Sequence, residues 1–268
     1  MSASPIAAPK PLAAVTGASS GIGLELARLF AANGFDLVIN AEDAALHEAA
    51  EELRGSGAAV RVVQADLRAP DGVTELYDEI RADGRPLAAI ALNAGVGQGG
   101  AFVETDLGHD LEIIELNILS TVRLAKLALR DMLDAGQGRV LVTSSIAAEM
   151  PGSFQATYNA SKSFLQSFTT ALQDELKDTG VTLTSLMPGP TDTEFFARAR
   201  MLDTAVGRGK KDDPAQVAEQ GFAAMMAGEA RAVGGGLATK VQEAASKVLP
   251  DKVKAALHRR MAQPGSDS

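Results

Sequence analysis

The chain has 268 residues, a length suited to one large α/β domain, and its formal net charge is −9. That negative charge argues against a nucleic-acid partner, because the phosphates would be repelled. The lack of cysteine excludes disulfides and zinc–thiolate sites, and His47, His109 and His258 are too scattered to suggest any metal site. The opening residues do not resemble a secretory signal, and no stretch reaches the about 20 apolar residues that span a membrane. We therefore expect a cytoplasmic protein with a flexible N-terminal arm over residues 1–10.

Short apolar runs alternate along the chain with longer stretches of helical periodicity. The runs predict six strands, at residues 12–16, 36–40, 59–66, 87–93, 138–145 and 181–187. Helices are predicted at 22–32, from the second strand to about 55, around 76–80, at 106–135 and from about 157 to 178. Nearly apolar strands separated by helices are typical of parallel strands covered on both faces. With right-handed crossovers, the pattern predicts a doubly wound parallel sheet, a Rossmann-like α/β fold in a single domain over residues 11–235.

A glycine-rich turn, T-G-A-S-S-G-I-G at residues 16–23, joins the first strand to the first helix. Its glycines allow a tight turn and a close approach of the backbone to a pyrophosphate, whose charge the positive end of the helix favours. A plain strand-to-helix connection is the simpler explanation, but the position at the start of a βαβ unit favours a nucleotide. The predicted contacts in this turn are Gly17, Ser19, Ser20, Gly21, Ile22 and Gly23.

The sequence Y-N-A-S-K at 158–162 sets Tyr158 one helical turn before Lys162, on the same face. A phenol with a pKa near ~10 is a poor base at neutral pH, and an ammonium within ~4–6 Å lowers that pKa by ~1–3 units. A tyrosine tuned in this way passes a proton to or from a substrate oxygen. By spacing alone, a surface tyrosine above a solvated lysine is the better explanation. The preceding strand, which ends in Ser144 and Ser145, and the nucleotide-binding context favour the catalytic pair.

In order and spacing, these motifs resemble the short-chain dehydrogenase/reductase family, in its short single-domain branch. The turn has the spacing G-x-x-x-G-x-G, and the Tyr-x-x-x-Lys pair follows a serine by 13 residues, which is Ser145. Further matches are A-D-L at 65–67, N-A-G at 93–95, L-N-I at 116–118 and P-G-x-x-x-T at 188–193. The resemblance covers roughly residues 10–230.

The resemblance implies hydride transfer between a nicotinamide and a secondary alcohol or ketone. Tyr158 is then the general acid/base, Lys162 lowers its pKa and holds the nicotinamide ribose, and Ser145 orients the reacting oxygen. Asn117 breaks its helix locally and holds a water that links Lys162 to solvent. The implied catalytic residues are therefore Asn117, Ser145, Tyr158 and Lys162. The further implied cofactor contacts are Asp66, Leu67, Asn93, Ala94, Gly95, Tyr158, Lys162, Pro188, Gly189, Thr191 and Thr193.

The end of the second strand decides between the two nicotinamide cofactors in proteins of this family. Members that use NAD place an Asp there, and those that use NADP place a basic residue one position later or just before the second glycine. The three positions here are Ala41, Glu42 and Ser20, so no basic residue is offered and Glu42 would repel a 2′-phosphate. We therefore predict NAD, with NADP the less favoured cofactor. Glu42 either binds the ribose or is solvated at the helix start, where an acid suits the dipole.

Two segments outside the motifs carry further expectations. Residues 190–212 are predicted to form a lid over the substrate; their Phe, Met and Leu side chains lie among five Lys or Arg residues. This composition suits either an apolar or amphipathic substrate with an acidic group, or a loop of solvated charges. Residues 236–268 are predicted to form an amphipathic helical tail split at Pro250, with six Lys or Arg and two Asp or Glu over 240–260. Such a tail either lies on an anionic membrane surface or packs on the acidic body of the protein or a sister subunit, which we favour.

The sequence therefore predicts a short-chain alcohol dehydrogenase or ketone reductase, acting on a small molecule as a homodimer or homotetramer. A non-catalytic NAD-binding sensor or interaction protein on the same fold is the alternative. A peripheral membrane enzyme acting on lipid or sterol-like ketones is a third reading, based on the basic tail.

Overall fold

The computed structural model describes residues 9–246 and 249–265 of the chain. Most of the predicted N-terminal arm, Val248 of the predicted tail pattern and residues 266–268 lie outside these ranges. In the described part, seven parallel strands form one sheet in the order β3-β2-β1-β4-β5-β6-β7. They are β1 Leu12–Thr16, β2 Asp36–Ala41, β3 Val60–Gln64, β4 Leu87–Leu92, β5 Gly138–Thr143, β6 Val181–Pro188 and β7 Arg231–Gly234. The doubly wound, Rossmann-like fold in a single domain is thus confirmed.

Helices cover both faces of the sheet. In chain order they are α1 Gly21–Ala32, α2 Ala45–Gly55, α3 Pro70–Arg81, α4 Leu107–Ile113, α5 Thr121–Asp134, α6 Ala156–Glu175, α7 Phe195–Arg198, α8 Ala205–Arg208, α9 Pro214–Ala227, α10 Leu237–Ser246 and α11 Asp251–Ala262. A π-helical segment, Ile114–Ser120, joins α4 to α5, and a short 3-10 turn, Ile146–Glu149, follows β5. None of the described helices is long and apolar enough to cross a membrane.

The core is divided by the sheet into two apolar clusters. Ala13 and Val15 of β1 pack with α1 and α9 on one face, whereas Leu12 and Ala14 pack with α3, α5 and α6 on the other. Successive side chains of a strand point to opposite faces, so a strand buried on both sides must be apolar throughout. This explains why the strands are continuous apolar runs. Because the strands are parallel, their carboxyl ends lie at the same edge of the sheet.

Three features of the chain differ from the prediction. Strand β7 and helix α9 were not predicted, although α9 has a typical start, with Asp213 accepting a hydrogen bond from the N–H of Ala215 at 2.9 Å. The predicted helix 106–135 is divided by the π-helical segment. Leu111 and Ile114, which have the spacing of one face of an uninterrupted helix, are 47% and 37% exposed. The apolar side chains therefore do not mark the buried face of this stretch, which includes Asp110, Asn117 and Ser120.

Candidate active site

The carboxyl edge of the sheet opens into a cavity of about 270 Å³. Its walls come from the turn after β1, the ends of β2 to β6, the first turns of α6 and the last turns of α11. This is the place where open parallel sheets bind their ligands. Of the residues predicted for the site, all but Gly23 and Asn117 line the cavity.

The turn after β1 fits a nucleotide pyrophosphate. Gly17 and Gly21 have φ angles of 66° and 56°, in the left-handed region that favours glycine. A Cβ on Gly23 would collide with the carbonyl oxygen of Gly17, so this glycine serves the close approach of α1 to the strand end and does not face the cavity. Ser20 begins α1 without a side-chain cap, and this leaves the helix N-terminus to bind an anion.

Hydrogen bonds fix the ends of β1, β4 and β5 relative to one another. The Thr16 hydroxyl accepts from the backbone N–H groups of Asn93 and Ala94 at 2.9 and 3.0 Å. The Asn93 side chain in turn donates to the carbonyl of Thr16 at 3.2 Å and accepts from Thr143 at 3.0 Å. Asn93 and Ala94 therefore link the ends of these three strands beside the cavity.

Asn117 lies in the π-helical segment, where it is fully buried behind the cavity wall. Its side chain accepts from the N–H of Val96 at 2.9 Å and donates to the Val96 carbonyl at 3.0 Å and to Ser161 at 2.9 Å. A Cβ on Gly95 would lie 3.1 Å from the Asn117 oxygen and 3.4 Å from Lys162 Nζ, so the two side chains approach across this glycine. Asn117 thus fixes the backbone beside Lys162; a water between them stays a prediction.

Replacing Asn117 with alanine is expected to lower the free energy of unfolding by about 3 kcal/mol, because both backbone groups of Val96 lose their buried partner. Equilibrium denaturant unfolding would measure the change. Asn33→Ala, at the exposed C-cap of α1, is the control for the loss of an exposed hydrogen bond, since its side chain donates to the Leu29 carbonyl at 2.8 Å, and it should cost about 1 kcal/mol or less. A loss below about 1 kcal/mol for Asn117→Ala would mean that other groups satisfy Val96.

The two serines after β5 have different partners. Ser144 donates to the backbone carbonyl of Lys162 at 3.1 Å, which ties the strand end to α6. Ser145 lines the cavity, accepts from the N–H of Ala147 at 3.0 Å and makes a long contact, 3.4 Å, to the carbonyl of Pro188. The hydroxyl of Ser145 can therefore exchange that weak bond for a bond to a ligand.

Tyr158 and Lys162 share one wall of the cavity, with Lys162 Nζ 5.8 Å from the centre of the phenol ring. Lys162 is 4% exposed and donates to the Thr143 carbonyl at 2.8 Å. Burial lowers the pKa of Lys162 to about 8. Burial also raises the pKa of Tyr158 to about 12, which the hydrogen bond from Ser145 opposes. The predicted lowering of the tyrosine pKa is therefore wrong for the protein alone. The four-residue spacing indicates how near the ammonium of Lys162 lies, but it does not report that the phenol of Tyr158 is removed from solvent.

The pKa of Lys162 predicts a pH-dependent stability. Its folded pKa, about 8, lies below its ordinary 10.5, so between these values the unfolded chain binds more protons and stability rises with pH. The wild type should gain about 2 kcal/mol from this lysine between pH about 7 and about 9.5, and Lys162→Met should lack that gain. Denaturant unfolding over this pH range measures both slopes.

Lys126→Met, on the exposed side of α5, is the matched control for the loss of a lysine and should follow the wild-type slope. Parallel slopes for the wild type and Lys162→Met would contradict a lowered pKa at this lysine.

The loop after β6 approaches the glycine turn. The side chain of Thr193 lies against Gly21, where an added Cβ would come 2.8 Å from its methyl group. Thr191 donates to the carbonyl of Gly189 at 2.9 Å and lies beside Asp212 in a short β-bridge. Pro188, Gly189 and both threonines line the cavity next to the turn. The cofactor contacts that the resemblance implies for these four residues stay a prediction.

An acidic rim lies after the ends of β2 and β3, in the part of the cavity that contains the glycine turn. Glu42, Asp43 and Asp66 line the cavity there, and Arg68 bonds Glu42 and lies 2.9 Å from Asp66 and 3.5 Å from Glu112. Asp43 accepts from the Ser19 hydroxyl at 2.9 Å and lies 3.8 Å from Arg198.

Arg68 and Arg198 are therefore close to the rim although neither was predicted for the site. Both arginines are already held by two or more carboxylates. The motif residues themselves gave no signal for them, since Arg68 lies in the loop after β3, next to the A-D-L motif, and Arg198 lies in α7.

The other half of the cavity is apolar. Met150, Phe195, Phe196, Val206 and Met261 line it. Of the five basic residues in segment 190–212, which the structure describes throughout, Arg198 alone lines the cavity, and its partners are Glu194 at 2.7 Å and Asp43. The lid segment therefore offers no unshared positive charge to an acidic substrate group. Within the described ranges, no three metal-binding side chains come together.

Comparisons with known proteins agree with this geometry. A family model described as short chain dehydrogenase matches residues 11–202. An uncharacterized oxidoreductase of Staphylococcus saprophyticus is 32% identical over 216 residues, which cover 80% of this chain and 90% of that protein. The structure of a short-chain dehydrogenase from Sphingobium yanoikuyae in complex with NADPH has a TM-score of 0.78 at 30% identity, covering 83% of this chain and 87% of the other. A bulky-bulky ketone specific alcohol dehydrogenase from Comamonas testosteroni has a TM-score of 0.75 at 25% identity, over 96% of each chain.

Proposed function

The chain belongs to the short-chain dehydrogenase/reductase family of NAD(P)-dependent oxidoreductases, and from this premise we propose that it interconverts a secondary alcohol and a ketone with Tyr158 as general acid/base. One observation carries the proposal: Ser145, Tyr158 and Lys162 line the same cavity as the glycine turn. The relative from Comamonas testosteroni, named for its ketone specificity, supports a ketone as the substrate class.

A nicotinamide cofactor held at the glycine turn and beside Lys162 would supply or accept the hydride of this reaction. Ser145 donates a hydrogen bond to the ketone oxygen, and Tyr158 gives its proton to the same atom. Lys162, mostly charged at neutral pH because its pKa is about 8, stabilises the phenolate that remains. Burial raises the pKa of Tyr158 to about 12, so at neutral pH its phenol holds the proton that this step transfers.

NAD is the proposed cofactor. The acidic rim of Glu42, Asp43 and Asp66 would repel the 2′-phosphate of NADP, and the two nearby arginines are shared among carboxylates. The structure from Sphingobium yanoikuyae holds NADPH, so the two proteins are proposed to differ at this rim.

A panel of ketones and secondary alcohols tests the proposal. Each compound is assayed with both nicotinamide cofactors by the absorbance of the reduced ring, and nucleotide binding is measured separately by calorimetry. Turnover of at least one ketone, faster with NADH than with NADPH, is the expected result. Tight nucleotide binding without turnover of any compound would instead favour the non-catalytic sensor.

A further inference from the structure

The C-terminal helices form one wall of the substrate half of the cavity. Gln242 of α10 and His258, Met261 and Ala262 of α11 line it, more than 40 residues beyond the last motif of the family. Ala262 packs with the buried Phe196 and Met201 of the lid segment. Whatever ketone enters the apolar half of the cavity therefore meets side chains that belong to the tail.

Polar contacts hold the tail in this place. Arg231 of β7 bonds both Glu243 of α10 and, at 2.9 Å, Glu149 of the turn that follows Ser145. Lys254 of α11 donates to the carbonyl of Glu149 at 3.0 Å. The tail is thus anchored to the segment that carries the predicted catalytic serine, and its cavity-lining side chains occupy defined positions.

Of the described tail side chains that line the cavity, His258 is the buried polar one, and it has unused hydrogen-bonding capacity. It is 5% exposed, and its Nδ1 lies 2.9 Å from the backbone carbonyl of Ser153. A carbonyl only accepts, so Nδ1 must carry the hydrogen. Burial lowers the pKa of His258, and the ring is therefore neutral at pH 7 and leaves a lone pair on Nε2. No residue in the described ranges hydrogen-bonds Nε2.

We propose that Nε2 of His258 accepts a hydrogen bond from a hydroxyl group of the substrate, at a position remote from the reacting carbonyl. The preferred substrate is then an otherwise apolar ketone that bears a second, distal hydroxyl. A buried acceptor in a mainly apolar part of the pocket discriminates between ligands, because a ligand without the donor leaves the acceptor unpaired. The proposal rests on the proposed ketone chemistry of the same cavity, and it makes His258 a specificity-determining residue.

The assay compares methyl ketones that carry a terminal hydroxyl with their methyl ethers, over increasing chain length and with NADH. At the chain length that reaches His258, the wild type should prefer the hydroxyl compound by about tenfold in kcat/KM, mainly through KM. Equal kcat/KM values for alcohol and ether at every length would overturn the proposal.

Two substitutions separate the roles of the two ring nitrogens. His258→Asn keeps a donor near the Ser153 carbonyl but removes the acceptor, so the ratio of kcat/KM for the hydroxyl compound to that for its ether should fall to about one. His258→Gln places a carboxamide near the position of Nε2 and should retain part of the preference. His47→Asn, at an exposed histidine, is the control. Loss of alcohol and ether turnover by the same factor in His258→Asn would count against the proposal.

Nitrogen-15 spectra of histidine-labelled protein with NADH give a test that needs no turnover. We expect a neutral ring protonated on Nδ1, with an Nε2 resonance that moves when the hydroxy ketone is added and not when its ether is added. A proton on Nε2, or no response to the hydroxy ketone, would refute the proposal. If no ketone is turned over but Nε2 responds, the proposed reaction fails and the binding role of His258 stands.

Discussion

Tyr158→Phe is expected to lower kcat/KM for a ketone substrate by about a thousandfold, because proton transfer by a positioned side chain contributes about 10²- to 10⁴-fold. The substitution removes one oxygen and keeps the ring, whose centre lies 5.1 Å from that of Phe195. The shape of the cavity should therefore persist, and the dissociation constant for the nucleotide should change less than about threefold. Initial rates and calorimetric titration of the same samples measure both quantities.

The chain contains its own control for this experiment. Its only other tyrosine, Tyr77, is buried on α3 and donates to the carboxylate of Asp131 at 2.7 Å, away from the cavity. Tyr77→Phe should cost about 2 kcal/mol of stability through that bond to a charged group, and should leave kcat/KM unchanged. Tyr158→Phe should thus lower the rate, whereas Tyr77→Phe should lower the stability.

Wild-type rates in the Tyr158→Phe variant would remove the phenol from the mechanism, whatever the substrate proves to be. A large loss of nucleotide affinity would show that the substitution disturbs the cavity, and the rate would then say nothing about proton transfer. The thousandfold loss with unchanged nucleotide binding is the combination that identifies an acid/base tyrosine.

The sheet and the nucleotide turn could be predicted because both follow from local constraints. A strand covered on both faces must be apolar throughout, as in β1 and β2, and a backbone that approaches a phosphate needs glycine at positions such as Gly17. The carboxyl ends of parallel strands lie at one edge, so residues after β1, β4, β5 and β6 had to meet.

Other features depend on contacts that no short stretch of sequence encodes. Strand β7 has four residues, and its pairing to β6 depends on the return of the chain through α9. The amphipathic pattern of α11 predicts a buried face but not which surface it meets, so His258 was identified only as a scattered histidine. The pKa of Tyr158 depends on burial, which the four-residue spacing to Lys162 does not report.

Glu42→Gln is expected to raise the ratio of kcat/KM for the NADP form of the cofactor over the NAD form by about 30-fold. Two like charges at ~4 Å cost about 1 kcal/mol in water and about 4 kcal/mol at an effective dielectric of 20. The Glu42 side chain is 46% exposed and is bonded to Arg68, and we take about 2 kcal/mol as the repulsion that the substitution removes. Added salt should reduce the difference between the variant and the wild type, because exposed charges are screened.

Arg68 pairs with Glu42, Asp66 and Glu112, so its charge should also affect the cofactor preference. In Glu42→Gln it loses one of its carboxylate partners and becomes available to a 2′-phosphate, whereas Arg68→Gln leaves the rim more negative and should lower the NADP to NAD ratio further. If the guanidinium helps to bind the phosphate, the double variant should fall well short of Glu42→Gln. Glu48→Gln, with the same charge change on the exposed side of α2, should leave the ratio at its wild-type value. An unchanged ratio in Glu42→Gln would place the ribose away from Glu42, and the preference for NAD would then need another origin.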